Sequence, residues 1–340
     1  MKRKLFYLAI LSIAVIPANA RRFASGPFEL AVYPAKASEP AAKYSLLAKG
    51  DEQTDADALP LYEKAIQAMP RGRKQDEQIR TWLQLPAEQL PQKQVEEVMQ
   101  KHAESLKLLA QAARCKRCNW PKWKPGTMPP DQSEYRGLSF LLELRARLEI
   151  VHRQYDEALL TMQTAFGLAR HLGQAPTCTQ AMVGTAIGGM MCKEVELFIK
   201  GKDSPNLYWA LANLPRPLAD VKNAIESDRA NLKDYNFLVR RQFEKQLKPA
   251  HDRMLLIAKR LDNNLNASQC VEAIRNYAAT HDGRLPEKLS DISDLELPKD
   301  VMCDKVFKYQ RTATGALLQS EMPKGGDAVD TVRYQVVLRK

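Results

Sequence analysis

Apolar residues recur at intervals of three and four over most of the chain, from about residue 41 to residue 264. This spacing places them on one face of an α-helix and predicts helices almost throughout. The clearest case is a pair of helices between Ser133 and His171, separated by a polar break at residues 152–154. The stripe of the first helix contains Leu141, Leu144, Leu148 and Val151, and that of the second contains Ala158, Leu159, Met162, Ala165, Phe166 and Ala169.

Two further helical stretches differ in composition. Residues 174–200 are rich in small residues, including Gly184 and Gly188, and predict a helix in close contact with its neighbours. Residues 217–247 form a longer, highly charged stretch whose apolar residues repeat every seven positions. We expect one long helix there, laid along the body of the domain and broken or kinked near Pro249, because proline lacks a backbone N–H.

The periodicity changes towards the end of the chain. A helix over residues 266–281 is followed by three strand candidates at residues 305–311, 315–320 and 331–338. In the last of these, alternate residues are apolar, which is typical of a strand with one buried face. The tail therefore predicts a helix followed by three antiparallel strands.

Together these patterns predict a mainly α protein, in which an irregular, repeat-like α-α domain precedes a small C-terminal α+β unit. We place the helical domain at residues 41–262 and the α+β domain at residues 263–340. Residues 21–40 contain three prolines and predict an irregular lead-in.

The first 20 residues predict a cleavable signal peptide. Lys2, Arg3 and Lys4 form a positive region, residues 5–16 form a short apolar run, and residues 18–20 read Ala-Asn-Ala, a small-x-small cleavage pattern. About a dozen apolar residues are fewer than the roughly 20 that span a bilayer. We therefore expect an exported protein that is periplasmic, envelope-associated or extracellular, with no membrane span after cleavage; an uncleaved N-terminal anchor is the alternative.

The chain is basic. Its formal charge of +11 falls to +8 without residues 1–20, which carry three positive and no acidic side chains. In an exported protein this charge favours a protein or an anionic envelope polymer as the partner over nucleic acid, although a solvated basic surface also explains it.

Six cysteines in an exported protein fit disulfides. Cys115 and Cys118 form a CxxC pair, which suits a structural disulfide, a redox pair, half of a zinc site, or two thiols that are free or paired elsewhere. Lys116 and Arg117 lie between the two thiols and would favour the thiolate form. Cys270 and Cys303 bracket the helix and first strand of the tail, and a disulfide between them would clamp the small domain.

No pattern of catalytic, cofactor-binding or metal-binding residues is present. The five histidines are scattered, no HExxH, GxSxG or Walker loop occurs, and CxxC has no second cysteine pair to complete a zinc site. His171 lies near a helix end, where a positive charge would complement the helix dipole. We therefore predict no cofactor, and the sequence favours a protein without catalysis.

Aromatic and basic residues after the CxxC pair are the candidates for partner binding: Trp120, Lys122, Trp123 and Lys124. Exposed aromatic rings beside lysines can stack on sugars or on an apolar segment of another protein. The alternative is that this loop packs back onto the helices.

Two segments resemble known families. Residues 53–70 and 133–171 are similar to tetratricopeptide repeats, with Ala65, Pro70, Ala146, Tyr155 and Ala158 among the residues at the small, aromatic and terminating positions. The resemblance implies a helical array with a concave binding surface.

The stretch from Ile274 to Asp300, including His281-Asp282-Gly283-Arg284-Leu285-Pro286, resembles the helix-to-loop region of pseudopilin-type domains. Those domains carry a long apolar N-terminal helix that this chain lacks, so filament assembly does not follow from the resemblance. As a whole, the chain resembles large exported bacterial proteins of uncharacterised function, which implies a compartment but no activity.

These observations lead to three hypotheses. The first is an exported helical scaffold that binds a protein or polymer partner without catalysis. The second is an exported enzyme or carbohydrate-processing accessory whose site is assembled from distant residues, for which buried acids with shifted pKa values would be evidence. The third is a pseudopilin-related secretion component.

Overall fold

The computed structural model describes residues 26–37, 44–70, 72–121, 132–230, 232–233 and 236–339. The predicted signal peptide and three of the candidate partner-binding residues, Lys122, Trp123 and Lys124, lie outside these ranges.

The described chain is mainly helical, as the periodicity predicts. Its α-helices are α1 (Leu59–Gln67), α2 (Arg73–Trp82), α3 (Gln92–Lys101), α4 (Ala103–Ala113), α5 (Ser133–Val151), α6 (Tyr155–Gly173), α7 (Cys178–Ile199), α8 (Tyr208–Ala212), α9 (Val221–Ala230) and α10 (Phe237–Thr280). None of these helices is long and apolar enough to cross a membrane.

The centre of the protein is the packed set α5, α6 and α7. The predicted helix pair is confirmed: α5 and α6 are joined by a tight turn in which Arg153 adopts a positive φ of 59°. Both apolar stripes enter one continuous core, where Leu144, Met162 and Phe166 are fully buried. Burial of this apolar surface is the main force that holds the three helices together.

The small residues of α7 allow a close helix contact, as their composition predicts. A Cβ atom on Gly184 would lie 2.5 Å from the carbonyl oxygen of Ala169 and 2.5 Å from the backbone nitrogen of Gly173, both in α6. Only glycine permits this approach, because real Cβ atoms do not come that near to other heavy atoms.

A four-stranded sheet contains the three predicted C-terminal strands. These are β6 (Lys308–Thr312), β7 (Gly315–Gln319) and β8 (Arg333–Leu338), which pair in antiparallel order. The fourth strand, β1 (Phe28–Val32), pairs in parallel with β8 and forms an edge of the sheet.

The prediction of an irregular lead-in over residues 21–40 is therefore wrong for residues 28–32. Leu30 and Val32 are fully buried in the core, and Phe28 stacks edge-on against Tyr334 of β8. The strand forms because its apolar face finds a partner about 300 residues away, which local sequence does not reveal.

Within the described residues, two small two-stranded sheets complete the set of strands. The first joins β2 (Thr54–Asp57) to β3 (Cys115–Arg117) in parallel, and the second joins β4 (Lys299–Asp300) to β5 (Lys305–Val306) in antiparallel order.

The predicted long helix over residues 217–247 is instead two helices, α9 and α10. The second begins where the side chain of Asn236 accepts a hydrogen bond from the backbone N–H of Val239 at 2.9 Å, a typical N-cap. The expected break at Pro249 is wrong, since α10 continues through it for 31 residues to Thr280. A proline removes one helical hydrogen bond, and the residues after it are held by core packing.

The α10 helix also links the two predicted domains. The boundary placed at residues 262 and 263 falls within this continuous helix, whose C-terminal half is buried at Leu265, Val271 and Ile274. The same hydrophobic core contains residues of α5, α6 and the C-terminal sheet.

Candidate functional site

The CxxC pair lies where α4 ends and a short strand begins. Cys115 opens β3, which pairs with β2, and the carbonyl of Arg117 accepts a hydrogen bond from the N–H of Ala58 at 2.8 Å. The carboxylate of Asp57 then accepts hydrogen bonds from the backbone and side-chain nitrogens of Asn119 at 2.9 and 3.1 Å. We call residues 115–120 the CxxC corner; β2 and Asp57 hold it in place.

The environment of Cys118 disfavours its thiolate form. Burial, and then the nearby carboxylate of Asp57 and thiol of Cys115, raise the pKa of Cys118. The expectation that Lys116 and Arg117 would promote the thiolate is thus wrong for Cys118. Arg117 instead pairs with the carboxylate of Asp55 at 3.0 Å on the surface.

Cys115, Cys118, Cys270 and Cys303 are present as free cysteines. Cys115 and Cys270 are buried, whereas Cys118 and Cys303 are partly exposed. Burial raises the pKa of Cys270 and also of Cys303. The disulfides suggested for Cys115 with Cys118 and for Cys270 with Cys303 stay predictions.

A buried histidine lies directly beneath the corner. The Nε2 atom of His171 is 3.0 Å from the carbonyl oxygen of Cys115, and its Nδ1 atom is 2.8 Å from the hydroxyl of Tyr62. A carbonyl oxygen only accepts, so Nε2 carries the proton and Nδ1 accepts from the tyrosine hydroxyl. Both ring nitrogens are therefore used in joining α1, α6 and β3.

This burial overturns the expectation that His171 carries a positive charge at the helix end. Desolvation lowers the pKa of His171 from 6.5 to about 4, so the imidazole is neutral at physiological pH. Protonation would also remove the acceptor that Tyr62 uses. His171 therefore links helices through its two hydrogen bonds, and neither of its ring nitrogens is free to act as a general base.

The titration of His171 predicts an acid-sensitive fold. Between about pH 6.5 and pH 4 the unfolded chain binds a proton at this residue and the folded chain does not. The free energy of unfolding should therefore fall over that range, by about 3 kcal/mol for this group alone. Urea unfolding followed by circular dichroism at a series of pH values measures the effect.

The matched control for this pH effect combines Tyr62→Phe with His171→Leu, which removes the titrating group and its donor. The double variant should lose stability less steeply on acidification than the wild type, whereas His281→Gln, at an exposed histidine, should keep the wild-type slope. Equal slopes for the double variant and the wild type would show that His171 does not control the acid response.

Trp120 is anchored to the helices rather than freely exposed. Its indole N–H donates to the carbonyl of His171 at 2.8 Å, and its ring lies edge-on to Tyr135 with centroids 5.6 Å apart. The ring is partly buried against the core. The indole N–H is already used within the protein, so it is not available to donate to a partner.

Two acidic residues with raised pKa values lie between α5 and α7. Burial and the neighbouring Glu194 raise the pKa of Glu143, and burial raises that of Glu194. The guanidinium of Arg147 forms ion pairs with both carboxylates: its Nη2 atom lies 2.6 Å from Oε1 of Glu194 and 3.5 Å from Oε1 of Glu143. The two carboxylate side chains are 1% and 6% exposed, so this arrangement ties helices together and offers little access to a substrate.

Sequence reasoning missed a second candidate region, at the start of α10. Residues 237–250 include no buried residue, and the first buried side chain of the helix is His251. At 1.5 Å per residue this stretch is about 20 Å long. We call residues 237–250 the α10 arm.

The end of the arm is apolar and exposed. Phe237 and Leu238 are 63% and 75% exposed, the highest values among the large apolar side chains of the described chain. Arg240 and Arg241 follow within one turn, and Lys245 and Lys248 continue the basic side. In the sequence, the only indication of this region was that a Phe-Leu pair lies close to an Arg-Arg pair. Periodicity alone does not show whether such residues are exposed or packed against the rest of the protein.

Within the described residues, no group of three or more His, Cys, Asp or Glu side chains is arranged to hold a metal ion. Comparison with known proteins adds no family: no family model, curated protein or solved structure matches the chain.

Proposed function

We propose that this protein is an exported helical scaffold that binds a partner through the α10 arm and carries out no catalysis. The observation that carries the proposal is the contrast between the two candidate regions. At the CxxC corner, the indole N–H of Trp120 and the ring nitrogens of His171 beneath it are used in hydrogen bonds within the protein. In the arm, two adjacent large apolar side chains are exposed beside arginines.

A cluster of exposed apolar residues indicates an interaction site, because contact between apolar side chains and water contributes no stability to the folded protein. Phe237 and Leu238 are consecutive, so together they offer a contiguous apolar tip. The basic residues behind it favour a partner with negative charge, which agrees with the basic character of the whole chain.

Export remains the proposed context, supported by the signal-peptide pattern of residues 1–20. The tetratricopeptide and pseudopilin resemblances stay predictions in the same way. An enzymatic role has support from the raised pKa values of Glu143 and Glu194, but their shared pairing with Arg147 favours the scaffold.

The experiment is affinity capture from the envelope fraction of the source cells. The bait is the chain from Arg21, compared with a variant carrying Phe237→Ser and Leu238→Ser. We expect the wild type to enrich a defined set of envelope components and the variant to lose at least about tenfold of that enrichment, the effect of removing an interface anchor.

The matched control is Leu160→Ser, which removes another exposed apolar side chain, 52% exposed, from α6. This variant should capture the same components as the wild type. Capture that is equal for the arm variant and the wild type, or that is absent from both, would overturn the proposal that the arm is the binding surface.

A further inference from the structure

Resting on the proposed function, we infer that the α10 arm docks on the surface of an anionic phospholipid membrane, with Phe237 and Leu238 inserted among the lipids. The inference names the partner of the exposed tip. It depends on the exposure of the two apolar side chains, on the sign of the surrounding charge and on the order of the residues along the helix.

The charge near the tip has one dominant sign. Across residues 231–250 the chain carries five positive side chains and two negative ones. Glu244 is opposed by Arg240 at 3.7 Å, while Arg241 and Lys245 are exposed on the polar side of the arm. An anionic lipid surface attracts such clusters of lysine and arginine.

The order of the residues fits insertion from the tip. Phe237 and Leu238 come first, Arg240 and Arg241 lie about 5 Å further along the helix axis, and Lys245 lies about 11 Å along it. With the apolar pair among the acyl chains, the long basic side chains reach the phosphates of the headgroup layer.

The arm also has two different sides. Val239, Phe243 and Leu247 recur every four residues and are partly buried, whereas Arg241, Lys245 and Lys248 are exposed. This division separates a basic, exposed side of the arm from a less exposed apolar side. An anionic polysaccharide would be attracted by the same basic side chains, but it has no apolar layer in which Phe237 and Leu238 could be buried. A lipid surface offers both negative charge and an apolar layer, so we favour lipid as the partner.

The test is flotation with vesicles, using the chain from Arg21 so that the apolar run of residues 5–16 is absent. Vesicles of phosphatidylcholine with phosphatidylglycerol should carry the protein upwards, and vesicles of phosphatidylcholine alone should not. High salt should weaken the binding at least about tenfold, because screening reduces the attraction of the basic side chains.

Two arm variants separate the apolar and basic contributions. The pair Phe237→Ser and Leu238→Ser, and the pair Arg241→Gln and Lys245→Gln, should each lower vesicle binding by about tenfold or more. Leu160→Ser is the control for the first pair. Lys74→Gln with Lys93→Gln, at two exposed lysines in α2 and α3, is the control for the second.

Each outcome decides between the two proposals. Failure to bind anionic vesicles, binding to neutral vesicles with equal strength, or binding that is unchanged in the arm variants overturns the lipid inference. If envelope components are still captured through Phe237 and Leu238 when vesicles are not bound, the scaffold proposal survives with a protein or polymer partner. Circular dichroism of every variant checks that the helices are retained.

Discussion

Arg275→Met is expected to lower the free energy of unfolding by about 3–5 kcal/mol, the cost of leaving a buried carboxylate without its partner. Arg275 is 1% exposed and Glu272 is fully buried. The Nη1 atom of Arg275 donates to both carboxylate oxygens of Glu272 at 3.0 and 2.9 Å. Without the arginine, this carboxylate remains in a low-dielectric environment with its largest stabilising charge removed.

The same arginine holds two distant segments of the chain against α10. It donates to the carbonyl of Tyr33 at 2.9 Å and to the carbonyl of Ser204 at 2.9 Å, while its own carbonyl accepts from the N–H of Ala35 at 3.2 Å. The segment that follows β1 is therefore fixed to α10. We expect the substitution to increase hydrogen exchange in residues 28–35 as well as to reduce global stability.

The loss should depend on pH in a defined direction. Burial raises the pKa of Glu272, and Arg275 opposes that effect in the wild type. In the variant the folded pKa rises further above the unfolded value, so stability decreases as pH rises through this range. Urea unfolding should accordingly show a larger deficit at pH 8 than at pH 5.

Two controls show whether the buried pair is responsible. Adding Glu272→Leu to Arg275→Met removes the orphaned charge and should recover a substantial part of the loss. Arg73→Met breaks only the exposed pair with Glu77 and should cost less than about 0.5 kcal/mol. An Arg275→Met protein with wild-type stability would show that the pair is not needed.

How much of this fold the sequence predicts depends on whether a feature is local. The α5 and α6 pair and strands β6 to β8 are encoded by periodicities within a few turns or residues, and each was predicted. Strand β1 was not, because its five residues become a strand only by pairing with β8 at the other end of the chain.

The candidate site shows the same limit for polar residues. The role of His171 depends on Tyr62, which is 109 residues away, and on the carbonyl of Cys115. A lone histidine in a helical pattern does not reveal partners brought to it by the tertiary fold. The tendency of Lys116 and Arg117 to favour a thiolate was similarly outweighed by burial of Cys118 and by Asp57.

Gly184→Ala should destabilise the protein by about 3 kcal/mol, since overpacking a well-packed interior typically costs this much or somewhat less. The added methyl group would lie 2.5 Å from the carbonyl oxygen of Ala169 and the nitrogen of Gly173, and both are backbone atoms of α6. A flexible side chain could turn away from the methyl group, but a helix backbone must shift as a unit. The axis of α7 would therefore move from α6, and contacts along that interface would loosen.

Gly189→Ala is a matched control in the same helix, where a Cβ atom would meet nothing within 4 Å. Both substitutions gain the same intrinsic helix propensity, up to about 1 kcal/mol, so this gain cancels in the comparison. We expect the control to be as stable as the wild type or more stable, and urea unfolding of the two variants isolates the energy of the contact between α6 and α7. If Gly184→Ala were also as stable as the wild type, the two backbones could not be as close as the structure places them, and the small residues of α7 would need another explanation.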